Sequence, residues 1–223
     1  MSAAKLAEQL PGGPRLREIS KSLAALDAVM SPSWEGRYYS FDSAWGAEEE
    51  LASMRNGQGD EYSIVFCPQG VYIRGFDHES PLSPYRNEGR IWPGLIDSVP
   101  EAFEEYINEP SFGSGNFPLL TVCLWQVRGE AHGWHHGDVR FPDQSDVVPD
   151  GADWLFAPLT TGTPDFYAEF AQWYYETDLD PAAIDPIYRG TPLTQQMINQ
   201  LNPDVSFTDI ADDLTQIGYP FSR

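Results

Sequence analysis

The sequence predicts an α+β fold: one domain built on a mainly antiparallel sheet, a meander, flanked by N-terminal and C-terminal helices. Three observations lead there. Between Tyr38 and Phe76, runs rich in β-branched and aromatic residues are separated by tight turns. Helical apolar spacing marks both ends, at Leu16 to Met30 and at Ser206 to Ile217. No internal repeat or low-complexity linker divides the chain, so residues 1–14 read as a flexible N-terminus and residues 15–223 as a single α+β domain.

Leu16, Ile19, Leu23, Leu26 and Met30 recur at three- and four-residue steps, which puts one apolar stripe on a helix. Ser31-Pro32 ends it, because the residue before a proline avoids the α region. A strand is expected over Tyr38 to Phe41. Glu48 to Arg55 is ambiguous, its residues good helix formers that run into the turn-rich loop Asn56 to Asp60. Tyr62 to Cys67 and Val71 to Phe76 read as strands joined by the turn Pro68-Gln69-Gly70. Residues Asp77 to Val99, dense in Pro and Gly, read as ordered loop, and Pro100 to Asn108 as a short helix. Pro118 to Val127 is the most apolar strand, buried on both faces. Asp153 to Thr160 reads as one more strand. Thr163-Pro164 opens a helix whose stripe, Phe166, Tyr167, Phe170, Trp173 and Tyr174, is almost wholly aromatic. Two further helices, Thr194 to Leu201 and Ser206 to Ile217, close the chain, the last with a Ser206/Asp209 cap and a Gly218 stop.

Charge is the dominant compositional feature. The chain has 34 Asp and Glu against 13 Lys and Arg, a formal net charge of -21. From Phe141 to Ser222 there are 14 acids and one base, Arg189. A field of that sign repels nucleic acid and anionic membrane and attracts basic proteins or cations. The richness in aromatics, 13% of residues, sets the chain apart from disordered acidic tails and puts the charge on a folded surface. No apolar run reaches the ~20 residues of a membrane span, and the N-terminus lacks the apolar core of a secretory signal, so a cytoplasmic protein is expected. Cys67 and Cys123 each lie in an apolar run and read as buried thiols.

Enzyme signatures are sparse. Ala131 to Asp138 holds three of the four histidines, and His132, His135, His136 and Asp138 are the right ligand types for zinc or iron. Their spacing follows no ligand pattern, and adjacent His135 and His136 would point opposite ways on a strand. Asp77-His78-Glu79-Ser80, with prolines after it, reads as a turn whose Asp and Ser satisfy backbone donors. Neither a phosphate-binding glycine loop nor a nucleophile elbow is present, and no cofactor is called for.

Binding is the better-supported class. Acid combined with aromatic anchors suits a protein interface, and Trp34, Tyr38, Trp45, Arg55, Asp60, Glu61, Trp173 and Tyr174 are the residues expected to meet a partner. Within this set Asp60 and Glu61 are also placed to pair with Arg55 across their loop.

Arg37 to Trp45, Met54 to Tyr62, Phe76 to Ser80 with Ser83-Pro84-Tyr85, and the Asp212 to Pro220 segment resemble a family of uncharacterised bacterial proteins. The resemblance covers about Trp34 to Pro220 and implies a compact cytoplasmic protein of this length. It supplies no catalytic residue. The expectation is therefore an acidic protein-binding module, of the kind represented by the immunity proteins that neutralise basic toxins. Two alternatives stand beside it: a small metal-dependent hydrolase at the His132–Asp138 loop, and a housekeeping protein with no dedicated partner.

Overall fold

The structure, a computed structural model, describes residues 2–114, 117–130, 133–141 and 150–222. Its elements in chain order are α1 (Ala3–Gln9), α2 (Gly13–Met30), β1 (Tyr39–Gly46), β2 (Glu49–Arg55), β3 (Glu61–Cys67) and β4 (Gly70–Phe76). There follow α3 (Glu104–Ile107), β5 (Val122–Val127), β6 (His135–His136), α4 (Ala152–Leu155), α5 (Ala157–Thr161), α6 (Pro164–Tyr174), α7 (Pro181–Tyr188), α8 (Gln195–Leu201) and α9 (Phe207–Ile217). The strands are neighbours in chain order in one six-stranded sheet, so the α+β meander is as expected. Contacts gather the residues into two compact units, Met1–Gly13 with Ser53–Thr160, and Pro14–Ala52 with Thr161–Arg223.

In the first unit, β3 and β4 form a hairpin in which Cys67 faces Gly70 and Glu61 faces Phe76. Gly70 is obligatory at that turn: its φ is 149°, and a Cβ there would lie 1.9 Å from the Gln126 carbonyl oxygen. Side chains alternate between two covered faces, which explains runs that are apolar throughout. Tyr62, Ile73 and Leu124 share one face, where Tyr62 stacks on Phe156 at 5.2 Å. Tyr72, Arg74 and Cys123 share the other, where Tyr72 meets Phe103 and Tyr106. The Cys123 thiol donates to the Tyr72 hydroxyl at 3.8 Å, and burial pushes its pKa up to about 12. Cys67 is half-buried. Arg74 is 1% exposed, ion-paired with Glu61, hydrogen-bonded to the Phe112 carbonyl, and stacked over the Phe112 ring.

Three stretches differ from the sequence expectation, and a fourth, which the sequence leaves ambiguous, is resolved. Residues Ala152–Leu155 and Ala157–Thr161 are short helices, not a strand. Their apolar residues Leu155, Phe156 and Leu159 cover the sheet face, and a run of four to eight apolar residues has no period that separates the two states. Glu49–Arg55 resolves as a strand, tertiary pairing overriding its helix propensity. The strand expected from Pro118 begins only at Val122, while Pro118 makes an isolated bridge with Gly113. The N-terminal segment, expected to be flexible, carries α1, whose Leu6 is fully buried and whose Ala3 N–H donates to buried Asp150 at 2.8 Å.

In the second unit, α2 is the central element. Leu16, Ile19, Leu23 and Leu26 are buried as the stripe required, yet Ala24, Ala25, Ala28, Val29 and Asp27 are buried too, so more than one face is covered. Small residues on the second face let neighbouring segments approach: the Ser22 hydroxyl donates to the Ile187 carbonyl, and Asn202 donates to the Val29 carbonyl. Arg37, nearly buried, holds the Asp213 carboxylate with two parallel bonds of 2.8 and 2.7 Å. Thr163 occupies the N-cap of α6 with Pro164 after it, but its hydroxyl makes no capping bond. Ser206 and Asp209 form the expected capping box on α9, and Gly218 (φ 66°) ends that helix.

Candidate functional site

The helix α6 divides its aromatics between core and surface. Tyr167 and Phe170 are buried, and Tyr174 stacks on Phe170 with centroids 5.4 Å apart. Tyr38, named from sequence as a partner residue, is 7% exposed and sits edge-on to Tyr39, Phe170 and Tyr174. Trp173 faces outward and is 68% exposed, more than any other large hydrophobic residue among those described. Asp165, Glu169 and Trp173 recur at four-residue steps and so share one face of α6, all three exposed. Glu176, Asp178 and Asp180 follow directly, also exposed, and no Lys or Arg occurs between 161 and 188. Trp34 is 51% exposed in a 3-10 turn of the same unit, and Trp45 is half-buried at the end of β1.

Beneath this face lies a buried carboxylate that sequence reasoning does not single out. Asp27 is fully buried and accepts from the Tyr38 and Tyr39 backbone N–H groups (2.8 and 2.7 Å) and from the Tyr167 hydroxyl (2.6 Å). Burial pushes its pKa up to about 6, and these three donors hold it from rising further. Its position four residues after Leu23, on the apolar stripe, is the one legible signal.

In the first unit, Asp60, Asp77 and His78 meet, their ligand-type atoms within 4.8 Å of one another. The hairpin register brings them together: with Glu61 opposite Phe76, the next residues outward are Asp60 and Asp77. His78 Nδ1 lies 2.7 Å from Asp60 Oδ1, which also accepts the His78 backbone N–H at 2.8 Å. Asn56 donates to Asp60 Oδ2 at 2.6 Å. Asp77 Oδ1 accepts from the N–H groups of Glu79 and Ser80, the turn-capping role read from sequence, while Trp154 Nε1 donates to Oδ2 at 3.2 Å. Gly151 (φ 82°) permits this approach, since a Cβ there would lie 2.5 Å from that of Asp77. The types suit a divalent metal, yet each carboxylate oxygen already accepts a protein donor, and the arrangement serves to close the loop between β2 and β3 onto the end of β4.

His78 records that closure. The hydrogen bond to Asp60 raises its pKa above the ordinary 6.5, with the neighbouring carboxylates adding to it. The stabilisation is therefore present in full below pH 6.5 and lost as pH rises through the raised folded value. In an NMR titration the His78 ring resonances of the native chain should titrate above 6.5, and Asp60→Asn should bring the midpoint back towards 6.5. An unchanged midpoint would mean that Asp60 does not set it.

Glu61, adjacent to Asp60, pairs with Arg74, and Arg55 is exposed at the end of β2. His132 lies outside the described residues. His135 and His136 face opposite sides of β6, opposite Trp125 and Leu124. His135 stacks on Trp125 at 6.1 Å and contacts Glu130 at 2.8 Å, whereas His136 Nδ1 donates to the Gly137 carbonyl. Among the described residues His135, His136 and Asp138 form no metal-sized cluster, and no helix is long and apolar enough to cross a membrane. No family model, no curated protein and no solved structure matches this chain.

Proposed function

We propose that this chain is a protein-binding module for a basic partner, with the α6 face as its contact and Trp173 as the anchor. The observation that carries the reading is one large indole, 68% exposed, in line with Asp165 and Glu169 on a segment free of bases. Exposed tryptophan is the residue most often found at the energetic centre of an interface. A surrounding field of one sign accelerates encounter with an oppositely charged protein. An immunity-type inhibitor of a basic toxin, acting in the cytoplasm, is the concrete case, and nucleic acid is disfavoured as a partner by the same charge. The metal-dependent hydrolase has no comparable support among the described residues.

The test is capture on the immobilised protein from the native lysate, followed by kinetics with the retained protein. A basic protein should be held at near-equal stoichiometry, with an association rate that falls as salt rises. Trp173→Ala should cost about 2 kcal/mol, roughly 30-fold in Kd, mainly through faster dissociation. Absence of a stoichiometric basic protein, or retention indifferent to Trp173→Ala, would overturn the reading.

A further inference from the structure

The first unit carries a cleft of about 470 Å³ between the 89–99 loop, α3 and Pro118. Ile91, Ile96, Val99 and Ile107, each only half-buried, line it together with Asn108 and Pro118. Leu95, Phe103 and Tyr106, chain neighbours of lining residues, are buried at 1%, 0% and 3% exposure. Two exposed carboxylates, Asp97 and Glu104, also line it. The Gly94 N–H donates to Asp97 Oδ2 at 3.2 Å and orients that carboxylate, and among the described residues neither acid is ion-paired with a base. Between Arg90 and Arg128 the chain has no Lys or Arg, while Glu101, Glu105 and Glu109 add to the negative field.

Such a cleft has complementary chemistry in two parts. β-branched aliphatic walls suit an alkyl chain, and carboxylates at the mouth suit a cation at its end. A lysine side chain combines the two, since its methylenes pack on apolar surface while the ammonium remains at the polar edge. Arginine fits less well: its planar guanidinium gains most from aromatic stacking and bidentate pairing, and no aromatic ring lines this cleft. We propose that the cleft receives a lysine side chain projected by the basic partner, its stem against Ile91, Ile96, Val99 and Ile107 and its ammonium at Asp97 and Glu104. The inference rests on the protein-binding reading for its occupant, but it concerns a site in the other unit from Trp173.

The experiment is a 1H–15N NMR titration of the full chain with Nα-acetyl-lysine N-methylamide. Saturable shifts should be confined to residues 89–108, with a Kd on the order of 1 mM, as expected of a probe this small. The norleucine analogue, which keeps the stem and lacks the ammonium, should bind at least tenfold more weakly, and the arginine analogue should be weaker than lysine. Asp97→Asn with Glu104→Gln, both exposed substitutions that retain size and hydrogen-bonding oxygens, should also weaken lysine binding at least tenfold. Equal binding of the norleucine analogue, shifts spread over the acidic surface, or indifference to the double substitution would overturn the proposal. Trp173→Ala should leave the probe's Kd unchanged. Capture failing while the probe still binds would remove the proposed function but leave the cleft a lysine site. The probe failing while capture persists would remove the cleft alone.

Discussion

Replacing Asp27 with alanine should lower the stability of the fold by about 4 kcal/mol at neutral pH. The substitution strips the acceptor from two backbone N–H groups, those of Tyr38 and Tyr39, and from the Tyr167 hydroxyl, all of which stay buried. Each unsatisfied buried donor costs about 1–3 kcal/mol. Relief of the buried charge offsets part of that sum. Urea unfolding measures the loss, and hydrogen exchange should show it first at the Tyr38 and Tyr39 amides. A loss under about 1 kcal/mol would mean that water or a shifted side chain replaces the carboxylate.

The same group makes a signed prediction about pH. Burial raises the folded pKa from 3.8 to about 6. The folded state therefore binds the proton more tightly than the unfolded state between those values. The contribution of Asp27 is fully present below pH 3.8, declines as pH rises towards 6, and is flat above. A shift of about two pKa units corresponds to about 3 kcal/mol. The Asp27→Asn variant lacks this titration, so the stability difference between the two proteins should change by about that amount between about pH 4 and pH 7. Parallel curves would show that the carboxylate does not titrate in this range.

Arg74→Ala should cost about 3–5 kcal/mol, comparable with breaking a buried pair. Arg74 lies on β4, opposite Ser63 on one side and Cys123 on the other. Its removal leaves the Phe112 carbonyl without its donor, Glu61 without its partner, and a void where the largest fully buried side chain among the described residues had been. Arg74→Met keeps the stem and isolates the charge. Combined with Glu61→Gln, it should be less destabilising than the sum of the two single changes by about 1–3 kcal/mol. Strict additivity would show that the ion pair contributes nothing beyond packing.

These two residues mark where reading along the chain stops being sufficient. The helical spacing of Leu16 to Met30 and the strand runs at Tyr62 to Cys67 and Val71 to Phe76 are local properties, and they are found where expected. So are the Ser206 cap and the Gly218 stop, which depend on residues three or four positions apart. In contrast, α7 is not among the elements expected from sequence; Asp180 caps it and Pro181 sits in its first turn. The Asp153 to Thr160 run reads as a strand only for want of a period. Of the residues expected to meet a partner, Trp34 and Trp173 are exposed, while Tyr38 and Asp60 are buried. Composition names the residue types but has no means of choosing which side of a helix faces water.

By itself, the sequence determined the order and type of the strongly periodic elements, their capped ends, and the excess of acid over base. Those properties follow from neighbours a few positions apart and from a sum over the chain. The tertiary structure alone decided that Asp27 is enclosed by tyrosines up to 140 residues away, that Asp60 meets His78 across a hairpin, and that Arg74 lies in the core. A charged side chain has the same local signature whether it faces solvent or a buried partner. Only the chain's return to the same place in space supplies the donors and acceptors that let it be buried.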